Sequence, residues 1–160
     1  MQGGRVVRSL MLSGVRRMAS SSHGCDYQRN GQMRRTTDFI VVKEVNDVCP
    51  CTRQEIDRVH RRRGWLRIGY HFVITEDGEV QKGRDIAQAG AHSRGFNDCS
   101  IGVGICNGVN ELQAASLLSL VTLLTMKYPG IEVINHPLYG DTEEEFDAEL
   151  WWKNTLSRIS

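Results

Sequence analysis

Along the chain, five strand-like apolar runs alternate with three helical periods. Residues 38–45, "DFIVVKEV", form a continuous apolar run with β-branched side chains and predict a buried strand. Thr52 followed by Glu55 is a capping-box signature. It opens a helix through Ile56, Val59 and His60 that stops at Gly64. "LRIGYHFVI", 66–74, predicts the second strand. Asp77-Gly78 then signals a hairpin with positive φ expected at both central residues, and "EVQKG" is the returning strand. A Gly- and Asn-rich loop fills 85–99, before another buried strand, "SIGVGIC", at 100–106. From Glu111 to Tyr128 leucines occupy a broad helical face, which Pro129-Gly130 ends. "IEVINH" predicts a last short strand and "FDAELWWKNTLSRI" a closing helix. Such alternation implies one α/β domain with a central mixed sheet flanked by helices.

Length agrees with that picture, since 160 residues suffice for one domain with a real core and are short for two. No apolar run reaches the ~18 residues of a membrane span. Charge changes the picture more. Residues 1–35 carry seven arginines against the single acid Asp26, a balance of +6; with +1 for the whole chain, the remainder holds −5. A mildly acidic domain behind a basic leader argues against a nucleic-acid partner. The leader, 1–32, is rich in Arg and Ser, which marks a mitochondrial transit peptide rather than a secretory signal. A disordered leader and an upstream start codon are the alternatives, because Met33 begins "MRRTTDFIVV" directly ahead of the first strand. The domain is therefore expected over 33–160. The five cysteines follow no even framework, and Cys49-Pro50-Cys51 lacks the two-residue spacing of a zinc knuckle. Free thiols in a reducing compartment are the expectation.

Four blocks carry candidate chemistry: "RGWLRIGYHFVITEDGEVQKGRD", "GAHSRGFNDCSIGVGICNG", "TLLTMKYPGIEVINH" and "FDAELWWK". In order and spacing the chain resembles the zinc-dependent N-acetylmuramoyl-L-alanine amidases of phage-lysozyme type, whose fold animal peptidoglycan recognition proteins share. The resemblance spans Thr37 to Lys153. It implies a Zn²⁺ held by two His and a Cys or Asp, with one position open for water. That metal would activate the water and polarise the amide between muramic acid and L-Ala. A nearby Tyr, with a Lys in many members, would stabilise the oxyanion.

Carried over residue by residue, the resemblance puts Lys43 where the first ligand His should end the first strand. An ammonium has donors and no lone pair. His136 falls at the second ligand. Glu143, three residues before Phe146-Asp147, falls at the third, and Asp141 replaces the Lys. Tyr70 occupies the catalytic Tyr position, and His92 in "GAHSRG" matches a groove-lining His. His71 reads as a hydrogen-bonded core residue. Trp151-Trp152 pack the last helix, or one of them anchors an interface. Cys49 or Cys51 is a conceivable substitute ligand beside His136 and Glu143.

The leading expectation is an amidase-fold protein with an eroded zinc site and no resident cofactor, retained for binding a protein partner, an assembly or a peptidoglycan fragment. An active amidase with an altered ligand set, His136 and Glu143 on a rebuilt Zn site, is the alternative. Phage amidases of this type also bind their single-subunit RNA polymerase, so regulation of such a polymerase is a further one. The leader implies mitochondria; if it is only an upstream start, the location is the cytoplasm of a bacterial or phage-infected cell.

Overall fold

The computed structural model describes residues 31–135 and 146–159. Five strands and three helices follow in the order β1 (Phe39–Val45), α1 (Arg53–Arg62), β2 (Phe72–Ile74), β3 (Val80–Lys82), β4 (Ser100–Cys106), α2 (Glu111–Lys127), β5 (Glu132–Asn135) and α3 (Ala148–Ile159). They build one sheet of order β3-β2-β4-β1-β5. β1 runs parallel to both β4 and β5, β4 runs parallel to β2, and only the edge strand β3 is antiparallel. The sheet is mixed, as the alternation of elements implies.

Side-chain alternation gives the sheet two different faces. Ile40 and Val42 of β1, with Ile101, Val103 and Ile105 of β4, pack against Leu117, Leu120, Val121 and Leu124 of α2. On the other face, Val45, Val73 and Cys106 meet Ile56 of α1 and the side chains of Ile68 and Tyr70. The central strands bury both faces, which is why β1 and β4 are continuous apolar runs. Helix starts are also set locally. Thr52 accepts from the Glu55 N–H at 3.3 Å, and Asn110 with Gln113 forms a complete capping box at the start of α2.

Three expectations change. The strand expected over 66–74 contracts to Phe72–Ile74. Side chains and loops claim the backbone ahead of it: Asp57 Oδ1 accepts from the Ile68 N–H at 2.6 Å, His60 Nδ1 from the Gly69 N–H at 3.0 Å, and Arg84 Nε donates to the Ile68 carbonyl at 3.1 Å. Gly69 is required there, because a Cβ would lie 2.1 Å from the Ala91 carbonyl oxygen. The hairpin also differs, since Gly78 has φ of 82° and Asp77 does not have positive φ. Gly78 N–H donates to Thr75 O and Thr75 N–H to Glu79 O, a three-residue loop closed by a left-handed glycine rather than a two-residue turn. Finally, free thiols are not the rule. Cys51 and Cys106 form a disulfide with Cα atoms 5.6 Å apart across a sequence separation of 55. Val45 is in register with Cys106, so the chain leaving β1 returns Cys51 over the end of β4. Cys49 is free and exposed, Cys99 free and buried.

At the start of the described region, Gln32 O accepts from the Ala89 N–H at 2.8 Å and Met33 bridges Gln88. Residues 1–30 of the leader lie outside the described residues, as do His136, Asp141 and Glu143. No helix among the described residues is long and apolar enough to cross a membrane.

Candidate ligand-binding and active site

The ends of β1 and β4 point their chain into loops on the same side of the sheet, and a cavity of about 80 Å³ lies there. β1 contributes Lys43 and Glu44, the following loop Asp47, α1 His60, the residue capping its C-terminus Arg63, and the irregular segment Tyr70. Arg63 pairs with Asp47 at 2.7 Å, closing one side of the cavity with an ion pair between two exposed side chains. Glu44 Oε1 is buried with no hydrogen-bond partner among the described residues, while Oε2 accepts from Asn46 at 3.3 Å. Sequence reasoning placed Lys43 and Tyr70 near each other only through the resemblance, and the structure brings both to this cavity.

The irregular segment that carries Tyr70 is held from two sides. Besides the Asp57, His60 and Arg84 contacts, Arg84 N–H donates to the Tyr70 carbonyl at 2.9 Å, and Arg84 Nη1 to the Ala89 carbonyl at 2.7 Å. Arg84, the centre of the Gly-Arg-Asp unit, is buried, and desolvation lowers its pKa from the ordinary value. Desolvation also pushes the Asp57 carboxyl upward, yet its bonds to Arg61 and the Ile68 N–H hold it below the usual value.

β4 provides a bed for two rings. Its apolar face is large, while the opposite face carries Gly102 and Gly104. A Cβ at Gly104 would touch the Tyr70 ring at 3.3 Å, and one at Gly102 would sit 2.3 Å from the His92 ring. Tyr70 and His92 therefore lie side by side, centroids 6.4 Å apart, with the His60 ring 5.8 Å beyond Tyr70. The Ser100 hydroxyl donates to Phe96 O at 2.6 Å, leaving its oxygen to accept from His92 Nε2 at 2.9 Å. His92, read from the sequence as groove-lining, is 7% exposed and does not line the cavity. Gly102→Ala is expected to displace His92 and to cost about 2 kcal/mol by overpacking. Urea denaturation checks this, and unchanged stability would contradict the close approach.

Two further histidines are fixed as neutral rings. His71 Nδ1 accepts from the Gly102 N–H and Nε2 donates to Gln88 O, both at 2.9 Å. Burial pushes its pKa down to about 4. His60 is likewise lowered to about 4, by burial first and then by Arg63. The sequence named His60 only as a helix position. Its four-residue spacing from buried Ile56 was the signal that it faces inward.

Where the resemblance implies the first zinc ligand the structure places an ammonium, while His136 and Glu143, the other implied ligands, lie outside the described residues. Lys43 and Arg63 are cationic groups without lone pairs, and His60 already spends Nδ1 on the Gly69 N–H. No cluster of three His, Cys, Asp or Glu side chains suited to a metal occurs among the described residues. Cys51, considered as a substitute ligand, offers no thiolate because its sulfur is bonded to Cys106.

The chain is thus an α/β domain, with a mixed five-stranded sheet, helices on both faces and a small polar cavity at the end of its parallel strands. Residues 33–149 match the family model described as N-acetylmuramoyl-L-alanine amidase, and the chain belongs to that family. It is 35% identical over 144 residues to the endolysin of Escherichia phage T7, covering 78% of this chain and 92% of that protein. Among solved structures, it resembles the N-acetylmuramoyl-L-alanine amidase LysC from Clostridium intestinale URNW with a TM-score of 0.67 at 29% identity, over 78% of this chain and 86% of that one. Human PGRP-IBETAC in complex with glycosamyl muramyl pentapeptide shares the fold with a TM-score of 0.62 at 16% identity, over 73% and 81%.

Proposed function

We propose that the chain recognises muramyl peptides of peptidoglycan on the surface around Lys43 and Tyr70, and holds them without zinc-dependent turnover. One observation carries the reading: Lys43 stands on the wall of the cavity, beside Tyr70, where the family resemblance implies a zinc ligand. An ammonium there repels a dication and favours a ligand carboxylate or carbonyl. Family membership supplies the ligand class. Calorimetric titration of the full-length protein with a muramyl pentapeptide tests it. Saturable binding weakened at least tenfold by Lys43→Glu is expected, and no heat of binding at millimolar peptide would end the reading.

Hydrolysis of the muramoyl–L-Ala amide is the second reading, and the comparisons favour it more directly, because the matched family and LysC are named for that reaction. His136 and Glu143 would then be the metal ligands, with Tyr70 on the oxyanion. Zinc content after mild dialysis, followed by release of L-Ala amino termini, separates the two. Near-stoichiometric zinc and activity lost in His136→Ala and Glu143→Ala would establish the amidase. Import into mitochondria remains part of the proposal, supported by the basic leader, and imaging of the full chain with and without residues 1–32 tests it.

A further inference from the structure

α2 carries a charge only at its two ends, Glu111 and Lys127, with fifteen uncharged residues between them. Its inward side is accounted for by Leu117, Leu120, Val121 and Leu124 in the core. The outward side is not polar. Leu112, Leu123 and Met126 are 61%, 65% and 75% exposed, and Ala115, Ser119 and Thr122 are exposed between them. Beside this face, a shallow apolar groove of about 330 Å³ runs between α2 and Val80 of the edge strand β3, floored by Ala115, Ser116 and Ser119 and bounded by Leu123. Ser116 cannot turn outward to make it polar, since its hydroxyl donates to the Gly78 carbonyl at 2.6 Å.

The exposed pattern is symmetric about Ser119. Seven residues to either side stand Leu112 and Met126, four to either side Ala115 and Leu123, and eight to either side Glu111 and Lys127. A two-fold axis through Ser119 would set each member of a pair against its counterpart on an antiparallel copy, as an isologous contact requires. Large then meets large at the ends, Leu123 enters the groove over the partner's Ala115, and small Ser119 lets the backbones approach at the centre. Each Glu111 faces the partner's Lys127, so both charged ends are matched. A parallel pairing would instead put like charges together.

We propose that α2 is a homodimer interface, occupied by a second copy of this chain in antiparallel orientation across Ser119. It does not rest on the peptidoglycan reading. The dimer leaves the Lys43 cavity accessible at its own end of the sheet, because the cavity residues share none of the α2 positions.

Sedimentation equilibrium of the full-length protein tests it over micromolar to millimolar concentration. A monomer–dimer equilibrium is expected, abolished by Leu123→Asp while the far-UV spectrum and Tm hold. Glu111→Lys should weaken association about tenfold by placing two cation pairs at the ends, and the Glu111→Lys/Lys127→Glu double variant should restore it. Under mild oxidation, Ser119→Cys should give a covalent dimer that the native cysteines do not. A monomer at all concentrations would overturn the proposal and leave the face to a different partner. A dimer indifferent to Leu123→Asp, or charge variants that fail to rescue one another, would overturn it too.

Discussion

Reduction of the Cys51–Cys106 bridge is expected to lower the stability of the domain by about 4 kcal/mol, from the chain entropy of a closed loop of this size. For a domain of this length that is a fall in Tm on the order of 15 °C. The loss should not be spread evenly. Cys51 packs with Val45, Val48 and Ile56, and Val45, Val48 and Ile56 also wall the cavity. Muramyl-peptide affinity is therefore expected to fall under reducing conditions at temperatures where the fold persists. Differential scanning calorimetry with and without reductant, alongside a Cys51→Ala/Cys106→Ala variant that reductant does not shift, provides the check. Equal Tm in both conditions, with alkylation showing two additional thiols after reduction, would mean the bridge contributes nothing.

Acid is the second strong lever. His71 is 1% exposed, and its folded pKa of about 4 lies below the ordinary 6.5. The unfolded chain thus binds a proton across that window more readily than the folded one. The contribution is fully present above pH 6.5 and lost as pH falls towards 4, amounting to about 3 kcal/mol. His60 acts in the same direction and window. Asp57, held below its usual value, adds a loss only under more acidic conditions. Urea midpoints at pH 7.5, 6.0, 5.0 and 4.5 should decline steadily, and His71→Gln should flatten much of the decline. Constant midpoints down to pH 5 would sink the assignment of a buried neutral ring.

Much of the architecture was legible because its causes are local. The apolar, β-branched runs at 38–45 and 100–106 read as buried strands, and α1 begins at the Thr52 cap that the sequence announces. The segment 66–71 looked equally strand-like, yet Asp57, His60 and Arg84 satisfy its backbone from elsewhere in the chain, a competition no local pattern displays. The Cys51–Cys106 pairing was hidden for a related reason. It follows from the parallel register of β1 and β4, and cysteine spacing alone carries no register. Of the site, Lys43 and Tyr70 could be placed by resemblance. Glu44, Asp47 and Arg63 gather only once Ile56 of α1 packs with Val45 at the end of β1. His136 and Glu143 lie outside the described residues.

Lys43 sits in register with Gly104, near the last pair of the β1–β4 ladder, and on the β4 side it meets a residue without a side chain. A residue at that place can change its charge, size or donor set with little repacking elsewhere. Charge at this strand end is thus open to substitution while the β1–β4 backbone ladder, which sets the fold, stays in place.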